Sequence, residues 1–194
     1  GKSTSAHCIA VAASEYGKKV LVIDADPSAS LTFACGIENP RVSTKEFLTG
    51  QFSVDASIIK SGERFSIIAS SSRLLAIDID QAISPAKLIE LLASFDLVII
   101  DTPTGVSRIT TYFMASANLI VLPSTTEILS LRGALNSKDY AESAGHSGQL
   151  QLLITKATQL LDDEFKSLIG EDFALLEPTI HSSLQVSASQ SQAK

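Results

Sequence analysis

Two short apolar runs that each close on aspartate constrain the fold of this chain more than any other feature. Val20-Leu21-Val22-Ile23 leads into Asp24-Ala25-Asp26-Pro27, and Leu97-Val98-Ile99-Ile100 leads into Asp101-Thr102-Pro103. An uninterrupted, β-branched apolar run is a strand buried on both faces, the habit of parallel sheets covered by helices above and below. In such sheets ligands gather outside the carboxyl ends of the strands, which is where Asp24, Asp26 and Asp101 fall. An aspartate after a strand is by itself often a turn or cap residue. A third stretch changes the weight of the pair: the chain opens Gly1-Lys2-Ser3-Thr4, the closing half of the phosphate-binding pattern G-x-x-x-x-G-K-[ST]. Glycine lets backbone N–H groups approach phosphate oxygens, lysine supplies a point charge, and the hydroxyl after it is a Mg²⁺ ligand.

The rest of the chain alternates in the same way. A helix with a face of Ala6, Ile9, Ala10, Ala13 and Tyr16 is expected before the first strand, ending at Gly17. Short helices are expected over 28–34 and 44–48, and helix or edge strand over 55–59. Phe65 to Ala69 reads as a strand followed by a serine turn. Ser84-Pro85 sets an N-cap with proline in the first helical position, ahead of a buried stripe of Leu88, Leu91 and Leu92. After the Asp101 strand come a helix through Tyr112 and Met114 and a strand over 119–122 halted by Pro123. A long helix over 128–144, a strand over 150–155, a helix over 162–169 and a last strand over 173–176 complete the pattern. The whole reads as an α/β fold, a mostly parallel sheet with helices on both faces in three layers, over residues 1–186, with a polar serine-rich tail at 187–194.

Composition narrows the function classes. The 194 residues carry a formal net charge of −6, which argues against a broad nucleic-acid-binding surface. No run reaches the roughly 18 apolar residues of a membrane span. The two cysteines, Cys8 and Cys35, have no metal-ligand spacing and read as small buried residues of a cytosolic chain.

Four stretches, Gly1-Lys2-Ser3-Thr4, Val22 to Pro27, Val98 to Pro103 and Ser130-Leu131-Arg132-Gly133, match in order and spacing the ParA/MinD/Soj family of P-loop ATPases with a deviant Walker A loop. The chain most resembles the ParA/Soj members, which partition plasmids and chromosomes. The resemblance implies ATP and Mg²⁺ as cofactors. Gly1, Lys2, Ser3 and Thr4 would hold the phosphates, with Ser3 on Mg²⁺ and Thr4 on the α-phosphate. Asp26 would orient the attacking water, Asp24 would support the hydration shell of Mg²⁺, and Asp101 would act on the metal through water. Gly105 would meet the γ-phosphate region, and the loop at Pro178 would pack on the base. As catalytic residues the resemblance singles out Lys2 and Asp26.

The chain departs from the family at several points. Ser28 stands where glutamine is usual, Thr104 replaces a common second proline, and His181 replaces a basic residue. The pattern needs five residues before Gly1 and a strand leading into them, including the signature lysine. As given, the chain is therefore expected to bind ATP weakly. The implied function is a cytoplasmic, nucleoid-associated ATPase that forms a homodimer with ATP, binds DNA non-specifically and is stimulated by a ParB-like centromere-binding partner. Candidate DNA contacts are Arg132, Lys156 and Lys166, and no membrane association is expected. The alternatives are a MinD-like membrane-associated site regulator and a nucleotide-incompetent fragment or scaffold.

Overall fold

The computed structural model of the chain describes residues 1–157, 161 and 163–183. These residues form two compact units, one from Lys2 to Ser116 and the other from Ala117 to Ser183 together with Gly1.

The first unit is a four-stranded sheet in the order β2 (Ile58–Lys60), β3 (Ser66–Ile68), β1 (Val20–Asp24), β4 (Leu97–Asp101). Strand β1 runs parallel to both neighbours, and only the β2–β3 pair is antiparallel. All five residues of β1 are buried, as the unbroken apolar run predicts. Its side chains alternate between two cores. Leu21 and Ile23 face one side with Ile68, against α3 (Thr44–Leu48), α5 (Pro85–Leu92) and α6 (Arg108–Met114). Val20 and Val22 face the other with Ile67, against α1 (Lys2–Glu15) and α2 (Ser30–Ala34). Each buried Leu or Ile here is worth about 1.5–3 kcal/mol relative to exposure.

Helix α1 lies on the sheet through small residues: Ala6, Ala10 and Ser14 are buried, spaced four apart. Ile9 and Tyr16, expected on that face, are exposed, Tyr16 at 87%. A stripe spaced by four leaves Ile9 to one side, and Tyr16 lies past the end of the helix. The Ser84 cap forms as expected, its hydroxyl accepting the Lys87 N–H. Of the expected leucine stripe, Leu88 and Leu92 are buried and Leu91 is exposed. Residues 55–59 divide between both expected states, as α4 (Val54–Ser57) running directly into β2. The serine turn opens instead into 3₁₀ turns at Ser72–Ala76 and Ile79–Gln81.

The second unit pairs β5 (Leu119–Ser124) with β6 (Gln149–Ala157), and β6 with β7 (Ala174–Leu175) and β8 (Ile180–His181), all parallel. Its core joins Leu152 and Ile154 of β6 to Ala134 of α7 (Ile128–Ser143) and Ile169 of α8 (Asp163–Gly170). Pro123 was expected to halt β5, yet the strand runs through it to Ser124, in register with Leu153. Among the described residues β5 has one strand neighbour, so the missing proline N–H can face the unpaired edge. The expected helix start at Asp162 and the tail at 187–194 lie outside the described residues.

Candidate phosphate and metal site at the strand ends

Parallel pairing puts the ends of β1 and β4 side by side, with Asp24 in register with Asp101. The Ala25 N–H donates to the Asp101 carbonyl at 2.8 Å, so the ladder continues one residue past the strand. Against this edge stands the start of α1. The helix opens at Lys2 with no acidic residue in its first turn. The positive end of the helix dipole therefore faces this edge with no acidic side chain of its own first turn to offset it, which favours an anion there.

Asp101 is the electrostatic centre of the site. It is 3% exposed, and burial pushes its carboxyl up from an ordinary 3.8 to about 6. The neighbouring charges of Asp24 and Asp26 push the same way, while a hydrogen bond from Ser3 and the charge of Lys2 oppose them. Its Oδ2 is buried without a hydrogen-bond partner. A buried carboxylate oxygen with no donor is costly, and a hydrated divalent cation fits it.

Asp24 is used differently. Its Oδ1 accepts the Asp26 N–H at 3.0 Å, and its Oδ2 accepts both the N–H and the hydroxyl of Thr32 at 2.8 and 2.7 Å. Burial raises its pKa, against those hydrogen bonds. Of the two aspartates expected beside the metal, Asp101 is thus the one presenting a partnerless oxygen, and Asp24 braces the loop. Asp26 is half-buried, its Oδ1 accepting the Ser28 N–H at 2.8 Å in a tight turn. The residue after that turn, Ala29, takes a left-handed conformation (φ 54°) ahead of α2.

Lys2 is half-buried and donates from Nζ to Thr104 Oγ1 at 3.0 Å. Gly105 follows with φ 84°, a left-handed turn that suits glycine, before Ser107 caps α6. Thr4 is half-buried on α1 and Gly1 is exposed. Pro178 belongs to the second unit, exposed between β7 and β8. In that unit the Ser130 hydroxyl accepts the Thr125 N–H at 3.0 Å, tying the end of β5 to α7.

Sequence reasoning missed three buried residues here. Thr32 lies eight positions beyond Asp24 on a five-residue helix. Ser70 donates its N–H to Thr32 Oγ1 at 2.8 Å. Thr44 donates its hydroxyl to the Asp24 carbonyl at 2.6 Å. A threonine bonded across the sheet gives no periodic signal; only its place between two strand ends marks it.

Comparison with known proteins bears on the same stretch. An AAA domain matches residues 1–143. An uncharacterized ATP-binding protein of Methanocaldococcus jannaschii is 35% identical over 149 residues, 75% of this chain and 56% of the relative. The chromosome-partitioning ATPase Soj of Thermus thermophilus is 28% identical over 157 residues, 79% of this chain and 62% of that protein. The chain thus spans little more than half the length of these curated relatives. Among solved structures, apo McdA from Cyanothece superposes with a TM-score of 0.83 at 19% identity, covering 100% of this chain and 86% of the other. That likeness shows the fold, and the domain match runs from α1 to the end of α7: the chain belongs to the ParA/MinD family of P-loop ATPases.

Proposed function

We propose that this chain is the nucleotide-binding region of a ParA-type partition ATPase. It takes up Mg·ATP, pairs with a second copy when ATP is bound, holds DNA non-specifically as that dimer and works at the nucleoid in the cytoplasm. Hydrolysis is slow until a ParB-like centromere-binding partner accelerates it. The observation that carries the reading is the buried, partnerless Asp101 Oδ2 beside Ser3 at the start of α1.

The roles follow from position and chemistry. The first-turn N–H groups of α1 and Gly1 cradle phosphate oxygens, with Thr4 on the α-phosphate. Lys2, bonded to Thr104, is a flexible ammonium that can turn to the β- and γ-phosphates. Ser3 and Asp101 would hold Mg²⁺, Asp101 through water, while Asp24 keeps the loop between them in place. Bound Mg²⁺ supplies charge neutralisation across the phosphate oxygens. Asp26 orients the attacking water and Gly105 turns its N–H to the γ-phosphate, while Pro178, in the other unit, is the residue that the family resemblance assigns to the base. The protein's part in the reaction is positioning and electrostatic stabilisation.

Two surface features support the rest. Ile128 and Leu129, adjacent at the start of α7, are 81% and 78% exposed, an apolar step suited to a second copy. With a net charge of −6, any DNA surface must be local. Arg132 and Lys156 are exposed and fit that role, whereas Lys166 sits 3.8 Å from Glu177 and is the weaker contact. Among the described residues no helix is long and apolar enough to cross a membrane.

DNA retention by the full-length protein, with ATP or ADP and at two salt concentrations, tests the reading. Salt-sensitive retention with ATP alone is expected, because phosphate contacts release counterions. Liposome binding with ATP and no DNA retention would select a MinD-like regulator instead. Failure of both, together with no ATP binding, would select a scaffold.

A further inference from the structure

Asp26 can orient water only if its backbone is held still, and the structure shows what holds it. Beyond Asp24 the chain leaves the sheet, and the Asp26 N–H is fixed by Asp24 Oδ1 at 3.0 Å. The position of that oxygen depends on its twin, Oδ2, which is gripped by the N–H and hydroxyl of Thr32. The Thr32 hydroxyl is itself fixed in direction. The Ser70 N–H can only donate to it, at 2.8 Å, so its own proton must point to the Asp24 carboxylate, which only accepts. Asp24, Thr32 and Ser70 are buried to 0%, 1% and 0% exposure, so water does not stand in for any of these bonds. Thr44 pins the Asp24 carbonyl independently, and its hydroxyl also reaches the Ala69 carbonyl at 3.2 Å. The backbone of Asp24 is therefore secured without Thr32, and what Thr32 adds is the orientation of the carboxylate.

We propose that Thr32 is a positioning residue for ATP hydrolysis, carrying the fixed end of β3 through the Asp24 carboxylate to the backbone of Asp26. The proposal rests on the ATPase reading above for its kinetic consequence, though not for its geometry. The hydrogen bonds of the Thr32 hydroxyl run to Asp24 and Ser70 and so act on the loop carrying Asp26, so its influence falls on turnover and not on nucleotide affinity.

Thr32→Val keeps the shape and the backbone N–H and puts a methyl in place of the hydroxyl, so Asp24 Oδ2 and the Ser70 N–H lose that partner. In the full-length protein it is expected to leave ATP affinity within about threefold and to lower kcat by about 10–100-fold, with Thr32→Ser restoring most of it. Combined with Asp26→Ala, Thr32→Val should add little further loss, because both act on one step. Hydrogen exchange reads the positioning whether or not ATP is turned over: the Asp26 and Ser28 amides should exchange at least about tenfold faster in Thr32→Val and recover in Thr32→Ser. Unchanged protection at these amides overturns the proposal. So does a Thr32→Val variant that melts earlier while keeping parental kcat, which would make the threonine merely structural. A parent that turns over no ATP, with the amides responding as stated, refutes the ATPase reading and leaves the positioning intact.

Discussion

Replacing Asp101 by asparagine should make the protein more stable without nucleotide and less stable with it. Burial lifts the Asp101 carboxyl from 3.8 to about 6, so the folded state holds its proton where the unfolded chain has released it. Stability from this group therefore falls as pH rises through the window from about 4 to about 6, and the full penalty is present above it. At 1.36 kcal/mol per tenfold that penalty is about 3 kcal/mol. Asparagine removes the charge and still accepts the Ser3 hydroxyl, but its amide meets the same partnerless space as Oδ2, which costs about 1–2 kcal/mol. The net gain at pH 8 is about 1–2 kcal/mol, or roughly 2–8 °C in Tm for a domain of this size. Bound Mg·ATP reverses the order. A ligand at a hundred times its Kd adds about 2.7 kcal/mol to the parent, and the variant forfeits most of that. Thermal melts of both proteins at pH 5 and pH 8, with and without Mg·ATP, read all of this. At pH 5, where the parental carboxyl is largely protonated, the two apo proteins should melt close together. A variant that melts below its parent at pH 8 without nucleotide, fold intact, would refute the argument that Asp101 is held against its own solvation.

Other expectations are simpler. Asp26→Ala should keep ATP binding and lose about 10²–10⁴-fold in turnover, since only the orientation of water is removed; single-turnover kinetics would show it. Thr104→Ala should free the Lys2 ammonium and strengthen ATP binding by a small factor, about two- to fivefold, read by calorimetry. Gly148→Ala should cost about 1–3 kcal/mol in denaturant melts, because the new methyl would run into the Asn118 carbonyl that pairs with Gln149. Lys156→Gly should gain about 1 kcal/mol, since Lys156 holds φ 56° at the irregular step where β6 meets β8.

What was legible in the sequence was whatever repeats or punctuates. The unbroken run Val20 to Ile23 announced a strand buried on both faces, and β1 is buried at every residue. Ser84-Pro85 announced a helix start, and Ser84 caps it. Lys2, Ser3 and three aspartates could be placed at one edge because parallel strands present their ends together. Contacts made across the sheet were not legible. Thr32, Thr44 and Ser70 act through hydrogen bonds to residues 8 to 38 positions away, and no local pattern encodes them. Tyr16 misled because apolar spacing continues past the end of the helix, and Pro123 misled because a strand tolerates proline on an unpaired edge. Ser70 to Gln81 gave no periodic signal, and 3₁₀ turns three to five residues long leave none.

The most direct test of the central claim, that the start of α1 and Asp101 form one Mg·nucleotide site, is calorimetric titration of ATP into the full-length protein with and without Mg²⁺. The same titration is run on Lys2→Ala and Asp101→Asn. The account predicts ATP affinity that depends strongly on Mg²⁺ in the parent, is lost in Lys2→Ala, and no longer responds to Mg²⁺ in Asp101→Asn. Equal ATP affinity in all three proteins, whether or not Mg²⁺ is present, would contradict it.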